Sequence, residues 1–315
     1  MGFINYFNTR WKISNVIGFK IFVVLFISFL SIILVILLST WTPRSVYILV
    51  DELVAKCNAG DKGACIKLAD IAKNDKADWM REYAVKKLAN QALLAEIALN
   101  HREEDSVRAE AVKNPNLTDQ GVLTEIAKND EEEWLKKHAA DKLEDKSLAQ
   151  NVYAEIVKNY KYEDLRSSAA RRLTDQILLA DTAKKDKNTL VRMTAADKLK
   201  DRNLAQLVYI DIAKNGKEEW ERTAAVKRLS DLLLLAEFAK NDKIRDVRLA
   251  AVENPHFVDQ NLLGYIAKND IDGWLRSRAV KKITDQTLLF YIAKNDKDTW
   301  VRNTSEDRLK ELKQK

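Results

Sequence analysis

The chain is poor in the residues that bend a backbone, cradle a phosphate or ligate a metal. Its 315 positions hold 8 Gly and 3 Pro, too few for the turns of a β-sandwich, for collagen, for a disordered linker or for a glycine-rich phosphate loop. With 3 His and 2 Cys no zinc cluster of usual spacing can be assembled. No G-x-S-x-G, G-x-G-x-x-G or H-E-x-x-H string occurs. No cofactor and no metal is expected, and no residue is assigned to catalysis. What is present is 46% hydrophobic and 32% charged side chains, enough apolar material for a core, and with so few breakers the chain reads as nearly all helix.

A net charge of +6 would suit a nucleic-acid binder, but it is unevenly placed. Arg10, Lys12, Lys20 and Arg44 precede residue 45 with no acid among them, which leaves 49 basic against 47 acidic residues in the remainder. That domain lacks the positive field that draws in a phosphate backbone, so nucleic acid is not expected as a partner.

Residues 21–38 (IFVVLFISFLSIILVILL) carry no charge and, at 1.5 Å per residue, nearly match a hydrocarbon core. They read as a transmembrane helix within residues 21–40. The alternative is a cleaved signal peptide, but the run exceeds the usual apolar stretch and no A-x-A-like site comes after it. Trp41 and Tyr47 stand where aromatic side chains favour the water interface. The basic residues before the run favour a cytoplasmic N-terminal segment, residues 1–20, with the large domain extracytoplasmic, either periplasmic or extracellular.

Cys57 and Cys65 lie in AKCNAGDKGACIKLAD, where Gly60-Asp61 and Gly63 mark a turn between two helical stretches. The stretch, residues 50–70, resembles one unit of the cysteine-rich tetratricopeptide-like repeats, and that resemblance implies a disulfide between Cys57 and Cys65 and an oxidising compartment. The alternative is two free thiols packed as small apolar side chains. On this reading residues 44–70 form a helical hairpin capping the remainder of the domain.

From residue 71 onward the chain repeats. An index residue recurs at Ile71, Ile97, Ile126, Ile156, Thr182, Ile212, Phe238, Ile266 and Ile292, mostly opening an I-A-K-N-D string. Paired apolar residues precede it, as in Leu178-Leu179 and Leu234-Leu235, and a second apolar segment comes after it, clearest as Val191 with Ala195-Ala196 and Leu199. Each unit is therefore two short helices, too small to bury their own apolar faces, and residues 71–315 are expected to stack as a right-handed α-solenoid of about nine hairpins.

Asp four residues past the index is followed six later by Arg or Lys: Asp75 and Arg81, Asp130 and Lys136, Asp186 and Arg192, Asp242 and Arg248, Asp270 and Arg276, Asp296 and Arg302. This pattern resembles HEAT-like repeats, and the resemblance implies a ladder of these pairs between neighbouring units. Ala111-Val112-Lys113-Asn114-Pro115 and Ala251-Val252-Glu253-Asn254-Pro255 look more like leucine-rich-variant repeats. Tyr160 and Gly216 replace the Asp and His101 stands in a unit with an extra residue, so the ladder is expected to break there.

Other recurring positions read first as structure. Trp79, Trp134, Trp220, Trp274 and Trp300 open second helices and suit wedges between units. Lys87, Lys142, Arg172, Lys198, Arg228, Lys282 and Arg308 close second helices, where they complement the helix dipole; the alternative is a ladder for an anionic polymer or lipid head group. Acids precede the index in most units, but Tyr265 and Tyr291 take that slot near the end, with His256 and Phe257 close in sequence. These four are the expected partner-binding residues. The reading is a membrane-anchored, non-enzymatic scaffold for a protein partner. The rival is an enzyme on the HEAT-like fold, DNA-glycosylase-like or bilin-lyase-like.

Overall fold

The computed structural model describes residues 43–314, and among these it contains nineteen α-helices and no strand. Residues 21–40, where the transmembrane helix is expected, and the segment before them lie outside the described residues. Among the described residues no helix is long and apolar enough to cross a membrane.

Helix Pro43–Asn58 opens the described chain, and proline suits the first helical position because its fixed φ is already helical and its missing N–H has no partner there. Gly60, at φ 94°, supplies the left-handed residue that lets the chain reverse into Lys62–Asn74. Lys62–Asn74 is also the first helix of the first repeat, so the expected cap and the first unit share an element. Eight further helix pairs come after it, ending with Gln286–Asn295 and Thr299–Lys313. The described residues divide into two compact units, one ending at Ile126 and the other beginning at Ala127.

Local chemistry sets the element starts. Asp61, Asp145, Asp175, Asp201, Asp231, Asp259 and Asp285 are N-caps whose carboxylates accept backbone N–H groups of the first turn. Helices Lys146–Asn159 and Arg202–Asn215 have 14 residues where most first helices have 9 or 10. They absorb the longer spacing of their units as an extra turn rather than as a loop. In each, a tyrosine bonds back to the preceding second helix: Tyr153 Oη donates to Asp141 Oδ1 at 2.9 Å and Tyr209 Oη to Asp197 Oδ1 at 2.7 Å.

Within residues 127–315 consecutive second helices lie against one another except across the two long first helices, Lys146–Asn159 and Arg202–Asn215, which pack between them, whereas consecutive first helices touch sparingly. The cause is side-chain size. Second helices meet through small residues such as Ala169, Ala170, Ala195, Ala196, Ala279 and Val280, all fully buried, which permit short interaxial distances. First helices meet through longer side chains and leave grooves open between them.

Candidate functional site

The most regular polar feature is built at the turn between first and second helix. There the aspartate does two things at once. Asp186 Oδ1 accepts the N–H of Asn188 at 2.8 Å, Asp270 that of Asp272 at 2.8 Å and Asp296 that of Asp298 at 2.8 Å, closing the turn. The same carboxylates receive the guanidinium fork of the preceding unit: Arg166 on Asp186 at 2.9 and 2.9 Å, Arg248 on Asp270 at 2.9 and 3.1 Å, Arg276 on Asp296 at 2.9 and 2.7 Å. Arg222 engages Asp242 from the equivalent position. The six-residue spacing inside a unit has its own reason: the arginine donates to the main-chain oxygen of its own turn residue, Arg81 to Asp75 at 2.7 Å, Arg248 to Asp242 at 3.1 Å, Arg276 to Asp270 at 3.0 Å and Arg302 to Asp296 at 2.8 Å.

The ladder does not break as the sequence pattern implies. Arg166 and Arg222 stand six residues past Tyr160 and Gly216 in the two units without the Asp, yet each reaches the carboxylate of the next unit. What changes is the receiver one step earlier. Lys136 turns to Glu155 at 3.7 Å and Arg192 to Asp211 at 2.6 Å, acids that stand one residue before the index. In the first compact unit Arg81 takes Glu103 at 2.8 Å, two residues past His101. The cation keeps its place in the stack and accepts whichever carboxylate the next unit offers. Asp130 is buried and accepts the N–H of Glu132 at 2.9 Å.

These rungs shift their own titrations. The bond from Arg192, aided by Asn215, holds the Asp211 carboxyl below its ordinary range. At Asp296 burial pushes upward, but the Arg276 fork and the N–H of Asp298 outweigh it and the net shift is down.

Three further sets of cross-unit bonds lie outside the D-x5-R pattern. Glutamine at the start of a first helix reaches the next unit: Gln150 Oε1 accepts from Thr174 N at 2.7 Å, Gln206 Oε1 from Ser230 N at 2.8 Å and Gln260 Oε1 from Thr284 N at 2.9 Å. The sequence signal for Gln260 is its D-Q pair, in which capping alone accounts only for the Asp. Asn254, buried, donates to Val226 O at 3.0 Å and Leu229 O at 2.9 Å, so it caps the preceding second helix. Asn114 does the same for Val85 and Leu88 at 2.8 and 3.0 Å. The basic row at second-helix ends works across units as well. Lys282 Nζ donates to Val252 O at 2.9 Å and Asn254 O at 2.8 Å, and Arg308 to Ile283 O at 3.1 Å. Burial lowers the Lys142 and Lys282 pKa values.

The five repeat tryptophans are half-open to solvent, between 40% and 56% exposed, and so are not buried wedges. Near the end of the chain two of them meet across units, Trp274 and Trp300 stacking with centroids 6.3 Å apart. Cys57 and Cys65 are joined, with Cα atoms 4.8 Å apart.

Concave surface in the second compact unit occurs both beside first helices and between second helices. A groove of about 270 Å³ between the second helix Thr189–Lys198 and the first helix Arg202–Asn215 is lined by Asn188, Arg192, Asp211, Asn215 and Gly216; two lie between first helices, one of about 210 Å³ lined by Lys240, Arg248, Tyr265, Asn269 and Ile271 and one of about 290 Å³ lined by Lys268, Asn269, Tyr291 and Asn295; and one of about 680 Å³ beside Trp220 and Arg228 lies between second helices. Beside the first helices one bank is thus set by the residue before the index, acidic at Asp211 and aromatic at Tyr265 and Tyr291. Tyr265 is 45% and Tyr291 55% exposed. Lys240 Nζ lies 4.7 Å from the Tyr265 ring centroid and Lys294 Nζ 4.4 Å from that of Phe290. The aspartates at these grooves, Asp242, Asp270 and Asp296, are committed to arginines. His256 is exposed, but Phe257 is 1% exposed with Lys282 against its ring. Phe257 is therefore a core residue and not a partner contact, because the turn after Asn254 folds it under the helix pair. Among the described residues no group of three or more His, Cys, Asp or Glu side chains is arranged to hold a metal ion.

No family model and no curated protein matches this chain. Among solved structures it is similar to human deoxyhypusine hydroxylase in complex with glycerol, at 16% identity over 86% of this chain and 90% of that one, with a TM-score of 0.25. It is also similar to a designed armadillo repeat protein, at 14% identity over 83% and 98% with a TM-score of 0.16. A third likeness is to a computationally designed self-assembling cyclic homo-oligomer, at 15% identity over 87% and 99% with a TM-score of 0.12.

Proposed function

We propose that this protein is a non-catalytic scaffold of stacked helix pairs, a right-handed α-solenoid anchored by residues 21–40, with its N-terminal segment cytoplasmic and its repeats outside the cytoplasm, where they hold a protein partner. The observation that carries the reading is the set of grooves along the first helices. Near the chain end its acidic bank becomes Tyr265 and Tyr291, flanked by exposed Lys240, Lys268 and Lys294, while the nearby carboxylates are tied up in the ladder. Such a surface fits a partner segment that carries both acidic and apolar side chains, since desolvated rings supply contact area and lysines supply charge complementarity. The ladder, the glutamines and the asparagines of the repeats go into joining units, so they hold the grooved surface in a fixed shape.

Site-specific cross-linking tests it. Benzoylphenylalanine placed at Tyr265 or Tyr291 in native membranes should yield one discrete protein adduct, lost when Lys240 and Lys268 are changed to Glu. The same probe at Glu306, exposed on the last second helix, should yield none. Equal capture at all three positions, or no adduct from either tyrosine, would overturn the assignment of this face.

A further inference from the structure

The first helix carries apolar side chains on its outside, and their placement along it is uneven. Tyr47, Ile48 and Leu49 are 38%, 53% and 45% exposed, whereas Val50 and Leu53 are buried against the repeats. One turn later the exposed residues become Asp51 and Glu52, and Asp51 is tied to Tyr83 Oη at 2.9 Å and Lys87 Nζ at 3.5 Å. The apolar exposure is thus confined to the beginning of the helix. It is extended sideways by an aromatic group from the second helix of the first repeat. The Tyr47 ring lies 5.7 Å from that of Trp79 and 4.5 Å from that of Tyr83, both edge-on, with Lys87 Nζ 5.3 Å from the Tyr83 centroid. Lys86, beside it in sequence, is exposed.

Helix Pro43–Asn58 begins only four residues after the apolar run 21–38 ends. Those four residues reach at most roughly 18 Å when extended, and Ile48 stands about 8 Å further along a helix. The interfacial layer on each side of a bilayer is about 5–8 Å deep, and Trp and Tyr concentrate there because one end of each ring system is apolar and the other hydrogen-bonds. We propose that the start of the first helix, Tyr47, Ile48 and Leu49 with Trp79 and Tyr83 beside them, is a membrane-interface collar that rests in the head-group layer of the bilayer entered by residues 21–38. The inference builds on the anchor reading of the proposed function. It adds that the first helix pair touches lipid rather than hanging free on a tether, with Lys86 and Lys87 placed toward anionic head groups.

Depth measurement on the full chain tests it. Ile48→Cys, and separately Leu49→Cys, replace exposed side chains and leave the core intact; each is spin-labelled with the Cys57–Cys65 pair kept oxidised. The chain is reconstituted in vesicles of phosphatidylcholine and phosphatidylglycerol, with Lys200→Cys, exposed in a later turn, as the aqueous reference. The expected result is co-flotation with vesicles together with severalfold greater relaxation by oxygen, relative to a water-soluble nickel complex, at 48 and 49 than at 200. Co-flotation with equal nickel access at all three positions would overturn the collar while leaving the anchor standing. Labels at 48 and 49 that are shielded from both agents and dipolar-broadened by a neighbouring copy would replace the lipid with a second chain, and so overturn it too. Failure to co-float would remove the anchor and the collar together.

Discussion

At the scale of single residues the decisive groups are the buried rungs. Arg276 is 2% exposed and its partner carboxylate on Asp296 is nearly as deep. Removing one member leaves the other as an uncompensated buried charge, so Arg276→Met should cost about 3–5 kcal/mol in urea unfolding. The exposed pair Lys185–Asp181 gives the contrast: Lys185→Ala should leave the midpoint unchanged. A pH dependence comes from the depressed carboxyls. Asp211 and Asp296 titrate lower folded than unfolded, so they stabilise the fold above the unfolded carboxyl value of about 3.9 and lose that contribution as pH falls through their folded values. Arg192→Met, which frees Asp211, should flatten the acid limb of a stability–pH curve measured from about pH 5 down to about pH 2, a range that brackets the ordinary carboxyl value. The residues of the ladder were legible in the sequence because their spacing repeats. Which carboxylate each cation meets was not, since Glu155 and Asp211 precede the turn where the pattern placed the receiver.

At the scale of elements the helices are fixed by caps and by bonds between units. Asp175 accepts the N–H groups of Ile177 and Leu178 at 2.9 and 3.1 Å, and Asp175→Ala should cost about 1 kcal/mol, read from the denaturation midpoint. Asn254→Ala should cost more, on the order of 1–3 kcal/mol, because it strips donors from two buried carbonyl ends of the preceding helix. Tyr209→Phe separates packing from bonding: the ring is kept, only the 2.7 Å bond to Asp197 is lost, and about 1 kcal/mol should go with it. Burial and that bond also hold the Tyr209 phenol well above its ordinary pKa, so its ionisation in a spectrophotometric titration should lag behind that of exposed tyrosines until the chain unfolds. Helix starts and ends could be read from D-Q and N-D pairs. The extra turn of Lys146–Asn159 and Arg202–Asn215 is hinted at by the longer intervals, but interval length alone does not say whether surplus residues enter a helix or a loop.

At the scale of the molecule, stacking within each compact unit explains why so many polar side chains bond from one repeat to its neighbour. A helix pair has no closed core of its own, and each arginine or glutamine that reaches into the next pair, and each asparagine that reaches back into the preceding one, makes the joint specific as well as stable. Topology is the property best tested at this scale. On the proposal that the repeats lie outside the cytoplasm with the Cys57–Cys65 bond formed, a membrane-impermeant maleimide applied to intact cells should label neither cysteine until an impermeant reductant is added. Labelling without reduction would place free thiols on the surface, and protection that persists after reduction would place the domain on the other side of the membrane.

The sequence alone determined the helix pairs, their caps, the unit count and the types of residue in each rung, because those depend on neighbours within four or five positions and repeat along the chain. Tertiary structure decided the rest. Phe257 is buried, the repeat tryptophans are open, Asn254 caps a helix from the preceding unit, and Tyr265 and Tyr291 border grooves between first helices. Each of these depends on how closely one pair approaches the next, and that distance is set by side-chain volume summed across an interface between residues some 20 to 28 positions apart in sequence, a quantity no local pattern records.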